Sequence, residues 1–217
     1  MSDLDQWLSQ ATLYVVDDDE PVRHSYQALF LSRGYAVRSF GDGPTFLGTA
    51  EHDRPGCVLL DRRMPGMSGL QVFDELLARR SLIQTVFLSS YGELPLAVDA
   101  VKRGACDWLE KGCSDEQILT TVAGALRRSI DAAAERQSHA AVLARWQRLT
   151  PREKEVALLL AQGLTSKEAV RVMEERSADG RTIEPRTIDT HRAKIFIKLD
   201  VRSTHELGML VGRHGLE

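Results

Sequence analysis

Several polar residues stand where short apolar runs stop. Thr12–Val16 (TLYVV) runs into Asp17-Asp18-Asp19, and Cys57–Leu60 into Asp61. Thr85–Leu88 runs into Ser89-Ser90, and Asp107–Leu109 into Glu110-Lys111. Brief apolar runs of this kind read as buried strands, and in an open parallel sheet the C-terminal strand ends share one edge, where ligands bind. Asp17, Asp18, Asp61, Ser89 and Lys111 would then converge as three carboxylates, one hydroxyl and one ammonium. Three crowded carboxylates repel one another unless a cation intervenes. A hard, oxygen-seeking Mg²⁺, held by one or two carboxylates and several waters, suits them. Lys111 is left for a further anion. The chemistry this suggests is phosphoryl transfer onto a carboxylate, giving an aspartyl phosphate. A solvated acidic rim would explain Asp17-Asp18 alone, but not Asp61 followed by Met64-Pro65-Gly66-Met67-Ser68-Gly69.

The elements that must position these groups alternate along the first half. Pro21–Ser32 has helical spacing and stops at Gly34; Ala36–Ser39 is a short strand; Asp42-Gly43-Pro44 opens a second helix. Ser68–Arg79 begins with a capping box from Ser68 to Gln71, Leu94–Arg103 is helical, and Ser114 with Gln117 opens a long helix. Five strands alternating with five helices predict βαβ units and a parallel sheet covered on both faces.

Composition sets the frame. The 217 residues suit one large domain or two modest ones. The net charge of −3 divides into −7 over residues 1–125 and +4 over residues 126–217, which suggests two domains with different partners. No apolar window approaches the length of a membrane span, and MSDLDQWLSQ lacks the apolar core of a secretory signal. Cys57, Cys106 and Cys113 form no CxxC pair and read as reduced, buried thiols of a cytoplasmic chain.

VVDDDEPVR (Val15–Arg23), LLDRRMPGMSG (Leu59–Gly69), FLSSYGE (Phe87–Glu93) and GACDWLEKG (Gly104–Gly112) together resemble the receiver domain of bacterial two-component response regulators. The resemblance covers about residues 1–125 and implies a flavodoxin-like, doubly wound, five-stranded parallel sheet in the order 2-1-3-4-5. It implies Asp61 as the phosphoacceptor. It implies Mg²⁺ on Asp18, Asp61 and the backbone carbonyl of Arg63, with Asp17 acting mostly through water. Ser89 is the implied switch hydroxyl, Lys111 the partner of a phosphate oxygen, and Trp108 stands where the family's switch aromatic stands. Gly112 replaces the family's usual proline after the lysine, and Trp108 its usual Phe or Tyr.

Residues 126–147 (ALRRSIDAAAERQSHAAVLARW and its neighbours) are rich in Ala and Arg and predict a helical linker continuing the last receiver helix. A break near Ser138-His139 or a flexible linker also fits this composition. Residues 148–217 predict a small all-α domain. Thr150-Pro151-Arg152-Glu153 is a strong helix start, Thr165 with Glu168 another, and Pro185 opens RTIDTHRAKIFIKL with Ile188, Ile195 and Leu199 on one face. Val170 and Met173 are further core candidates, and a last helix is expected over Thr204–Val211.

LTPREKEVALLLAQGLTSKEA and PRTIDTHRAKIFIKLDVRSTHEL resemble the LuxR-type helix-turn-helix domain, and the whole chain the NarL/FixJ subfamily of regulators. This implies that Pro185–Leu199 enters the DNA major groove. Asp189, Thr190 and Ala193 would face bases. Arg186, Thr187, Arg192, Lys194 and Lys198 would take phosphates, with His191 among them. A carboxylate at Asp189 suits a cytosine amine, or pairs with a neighbouring arginine. Glu174–Thr182 (EERSADGRT) lengthens the turn between scaffold and recognition helices and reads as a loop, or as an extension of the scaffold helix.

Joined, the halves imply a cytoplasmic DNA-binding transcriptional response regulator, not an enzyme. A sensor histidine kinase would phosphorylate Asp61, and dimerisation or domain docking would then control promoter binding. Two other readings fit parts of the chain. One is a phosphohydrolase with Asp17 as nucleophile and Asp19 as acid/base; the other is a regulator whose receiver serves only as a dimerisation module.

Overall fold

The computed structural model describes residues 11–90, 94–176 and 184–217. The chain divides into two units, Met1–Glu135 and Arg136–Glu217.

In the first unit β1 (Thr12–Val16), β2 (Ala36–Phe40), β3 (Gly56–Asp61), β4 (Ile83–Ser89) and β5 (Asp107–Glu110) form one parallel sheet in the order β2-β1-β3-β4-β5. Helices α1 (Glu20–Leu31), α2 (Gly43–Thr49), α3 (Gly69–Ala78), α4 (Leu94–Lys102) and α5 (Asp115–Gln147) follow the strands in turn. Side chains alternate across the pleat, so each strand feeds two cores. Leu13, Val15, Leu59, Val86 and Leu88 pack with α1 and α5 residues such as Phe30, Ile118 and Val122. Tyr14, Val16, Leu60 and Phe87 pack with Phe46, Val72, Phe73 and Ala100 on the other face. Both faces are covered, which is why the central strands read as unbroken apolar runs rather than alternating ones.

Helix starts follow their caps. Asp19 and Asp42 accept from Val22 and Thr45 N–H at the heads of α1 and α2. Ser68 and Gln71 exchange both bonds of a capping box. Buried Ser129 of α5 donates to Leu82 carbonyl at 2.5 Å and accepts from Gly56 N–H at 2.9 Å, fixing the helix against the N-terminal ends of β3 and β4. Helix α5 continues unbroken through Ser138-His139.

The second unit holds α6 (Pro151–Ala161), α7 (Ser166–Arg176), α8 (Pro185–Leu199) and α9 (Thr204–His214) around its own core. Val156, Leu160, Val170, Met173, Ile188, Ile195, Leu199 and Leu207 are buried there, joined by Val142 and Trp146 from the last turns of α5. Two sequence expectations change, and a third, open between loop and helix extension, is decided for its first residues. Helix α9 ends at His214 rather than Val211, capped by Gly215 at φ +57. Glu174, Glu175 and Arg176 extend α7 rather than forming loop, and the remainder of the Glu174–Thr182 stretch lies outside the described residues. Only Cys57 is fully buried; Cys106 and Cys113 are half-buried against the α1/α5 core.

Candidate phosphoacceptor site and nucleic-acid interface

At the C-terminal edge of the sheet, β1 and β3 lie side by side in register, Val16 opposite Leu60, which brings Asp17 and Asp61 together. Carboxylate oxygens of Asp17, Asp18 and Asp61 lie within 4.8 Å of one another. Asp17 and Asp61 are buried, while Asp18 is exposed. The Lys111 ammonium sits 2.7 Å from Asp17 Oδ2 and 2.7 Å from Asp61 Oδ1. One cation therefore serves two carboxylates, and with Asp18 the site keeps an excess of negative charge. Burial pushes the Asp17 carboxyl above its ordinary value, against the hydrogen bonds from Lys111 and Asp19 N–H that favour its charged form. For Lys111, burial alone would lower the affinity for its proton, but the bonds and charges of Asp17 and Asp61 outweigh it and hold the ammonium above its usual range.

Backbone geometry holds each group in place. Asp61 Oδ2 accepts from Arg63 N–H at 2.8 Å, orienting the carboxylate. Gly69 N–H bonds Arg62 carbonyl at 2.9 Å, and any Cβ at Gly69 would stand 2.2 Å from Asp61 carbonyl oxygen. The MPGMSG turn thus folds tightly against the acceptor's own backbone, an approach only glycine permits. Lys111 N–H bonds Ser89 carbonyl at 2.7 Å, extending the β4–β5 pairing to the site. Gly112 has φ +94, a left-handed conformation closed to the proline usual in the family, whose ring fixes φ near −65°. Described peptide bonds, Lys111–Gly112 among them, are trans.

Two contacts here were not anticipated from sequence. Arg23 on α1 donates to Asp17 carbonyl at 2.8 Å and Asp18 carbonyl at 3.0 Å, clamping the acidic loop. Its signal was faint: an arginine one turn into the helix that follows the acidic loop. Trp108 Nε1 donates to Ser89 Oγ at 2.6 Å.

The acidic cluster is compatible with Mg²⁺. At metal–oxygen distances of about 2.0–2.1 Å, opposite ligands stand roughly 4.2 Å apart, close to the span of the three carboxylates. The phosphohydrolase alternative finds no support in this geometry. Asp17, its nucleophile, is buried with Oδ1 accepting from Asp19 N–H at 3.0 Å and Oδ2 held by Lys111, while Asp19 caps α1.

In the second unit, the residues expected on DNA lie along α8. Arg186, Thr187, Asp189, Thr190, Arg192 and Lys194 are exposed, and His191 is half-buried. Arg186, Thr190, Ala193 and Ile197 recur at i, i+4, i+7 and i+11, opposite buried Ile188, Ile195 and Leu199. Ile197, 81% exposed, is an apolar residue on this open side of the helix. Asp189 accepts from Ser166 Oγ at 2.8 Å, tying α8 to the start of α7, and lies 3.4 Å from Arg192. Lys198 departs from the expectation: its ammonium lies 2.6 Å from the buried Glu153 carboxylate and 3.4 Å from Arg148 carbonyl, so it serves the domain's interior. Burial would raise the Glu153 carboxyl, but Lys198 and the Thr150 cap hold it below its ordinary value of 4.5.

A parallel sheet whose edge gathers an acid cluster and a lysine, followed by a helical unit with an exposed basic helix, makes a two-module protein. The response regulator receiver domain family matches residues 13–123, and the family of bacterial regulatory proteins, luxR family, matches residues 147–211. The chain is 34% identical to the transcriptional regulatory protein FixJ of Bradyrhizobium diazoefficiens over 94% of its own length and 96% of that protein. It is 36% identical to the tetrathionate response regulatory protein TtrR of Salmonella typhimurium, over 91% and 90% of the two chains. The structure of the response regulator StyR superposes with a TM-score of 0.81 at 32% identity, covering 94% of this chain and 99% of that one. The chain belongs to the two-component response regulators of the NarL/FixJ type, with a receiver domain and a LuxR-type helix-turn-helix. It is a DNA-binding transcription regulator with a histidine kinase for its partner, not an enzyme. No helix among the described residues is long and apolar enough to cross a membrane.

Proposed function

We propose that Asp61 accepts a phosphoryl group from the phosphohistidine of the partner kinase and that this event governs promoter binding. A carboxylate oxygen of Asp61 attacks phosphorus, the P–N bond breaks with its electron pair passing to the imidazole, and an acyl phosphate remains. The observation that carries this reading is Lys111 bridging buried Asp17 and Asp61 at 2.7 Å each, beside exposed Asp18. Asp17, Asp18, Asp61 and the Arg63 carbonyl would hold Mg²⁺, which when bound neutralises phosphoryl oxygens during transfer. Lys111, 2.7 Å from Asp61 Oδ1, would meet a phosphoryl oxygen, and the Ser89 hydroxyl would close on the same group. The new charge biases an existing equilibrium of the α4–β5–α5 face, where Trp108 sits, and favours a homodimer or releases domain docking.

The receiver spans residues 1–125, the helical linker 126–147 and the DNA-binding domain 148–217. Two recognition helices would then meet successive turns of duplex DNA. Arg186, Thr187, Arg192, Lys194 and His191 contact the backbone, and Asp189 and Thr190 face bases, with Asp189 already steadied by Ser166. The chain works in the cytoplasm. Mass spectrometry after incubation with acetyl phosphate and Mg²⁺ tests the reading: the expected label lies on Asp61 and is lost in Asp61→Asn. A label elsewhere, or none, refutes it and favours a receiver that acts without phosphate.

A further inference from the structure

In register, Trp108 on β5 faces Phe87 on β4, and Ser89 lies two residues along the same face. That diagonal brings the half-buried indole across β4, its ring 4.8 Å from that of Phe87, and sets Nε1 2.6 Å from Ser89 Oγ. Ser89 is 2% exposed, so water scarcely competes for its hydroxyl. Indole is a donor and never an acceptor, while a serine hydroxyl holds one proton and two lone pairs. With a lone pair taken by Trp108, the Ser89 proton is left free to donate to another acceptor. The Ser89 carbonyl is engaged by Lys111 N–H, the residue whose ammonium lies on Asp61. We propose that Trp108 is a positioning residue that orients the Ser89 hydroxyl as a donor toward the phosphoryl group on Asp61. The chain of bonds runs from indole N–H to Ser89 Oγ and from Ser89 O–H to a phosphoryl oxygen, each strengthening the next. A phenylalanine could fill the space but could not supply the first bond. The inference rests on Asp61 being the acceptor.

Beryllofluoride with Mg²⁺ serves as the probe, a non-hydrolysing stand-in for the phosphoryl group, on the full-length chain and on Trp108→Phe. A bond of ordinary strength gives an expected loss of roughly fivefold in affinity for the probe in Trp108→Phe. The ¹⁵N–¹H resonance of the Trp108 indole supplies a readout that packing alone would not move. It is expected to keep a hydrogen-bonded shift with the probe bound, and to lose it in Ser89→Ala. Equal or tighter probe binding in Trp108→Phe, or loss of the bonded indole shift when the wild type binds, overturns the inference and makes the contact a latch. Probe binding that persists in Asp61→Asn, or fails in the wild type, instead overturns the underlying assignment of Asp61, and the inference falls with it.

Discussion

Two lysines in this chain each reach a buried carboxylate, and their surroundings differ. Lys198 meets Glu153 alone, and the Thr150 capping box satisfies that carboxylate further, through its N–H at 2.8 Å. Glu153 is held charged, below its ordinary value. Lys111 meets two carboxylates with a third nearby, and Asp17 is pushed toward its neutral form. The first pair is balanced and serves the fold. The second is left with surplus negative charge, which a fold alone would not retain because a buried, uncompensated carboxylate costs stability. A surplus of one sign at the edge of a sheet is compatible with a bound cation, whereas a balanced pair of the same residue types leaves no charge for one. Electrostatic balance, rather than the presence of a lysine–carboxylate contact, separates the two.

The comparison can be broken or sharpened at several points, the largest effect first. Replacing Arg192 and Lys194 together by alanine should weaken duplex binding at least tenfold and lower the slope of log affinity against log salt by about two, one per lost phosphate contact. Fluorescence anisotropy across a salt series measures both. Loss of affinity with an unchanged slope would remove these residues from the backbone contacts.

On the balanced side, Glu153→Gln should cost the second unit about 1–3 kcal/mol, since Lys198 loses its charged partner while part of the cap persists. Thermal denaturation reads this. The pH dependence has a definite sign. Because folding depresses the Glu153 pKa, its contribution is complete above about pH 4.5 and is lost as pH falls through the folded value. Glu153→Gln should show less of this acid sensitivity.

The unbalanced side has the opposite sign. Folding raises the Asp17 pKa, so its charged form opposes folding above the ordinary value of 3.8, and the penalty grows as pH rises through the folded value. Asp17→Asn should therefore leave the metal-free receiver as stable or slightly more stable at neutral pH. It should also reduce the rise in melting temperature that added Mg²⁺ gives the wild type by mass action. A marked destabilisation without metal would mean that the Lys111–Asp17 pair is a structural bridge like Lys198–Glu153. The smallest effect is expected from Arg23→Lys. One ammonium cannot reproduce the guanidinium clamp on the Asp17 and Asp18 carbonyls, so Mg²⁺ affinity should fall a few-fold with little change in melting temperature.

Much of the fold could be read along the chain because its signals are local. Strand ends announce themselves where apolar runs meet Asp17, Asp61, Ser89 and Glu110-Lys111, and helix starts where Ser68, Thr150 and Thr165 meet a Glu or Gln three residues on. The convergence of the acid cluster followed from parallel topology, since parallel strands bring their C-terminal ends to one edge. What escaped were contacts made across the fold. Lys198 and Glu153 are 45 residues apart with nothing in the spacing to pair them, and Lys198 fell among basic residues that look alike on a helix surface. The Trp108–Ser89 bond depends on the diagonal register of β4 and β5, which no local pattern encodes. Ile197 shares the apolar type of Ile188, Ile195 and Leu199 but stands on the exposed side of α8.

The central claim joins the two regions: phosphorylation of Asp61 alters how α8 engages duplex DNA. The most direct measurement is affinity for a duplex enriched from a genomic library by the phosphorylated chain, determined before and after acetyl phosphate with Mg²⁺, in the wild type and in Asp61→Asn. A gain confined to the phosphorylated wild type is the expected result. Equal affinity in all four samples, or a gain that Asp61→Asn shares, would contradict it.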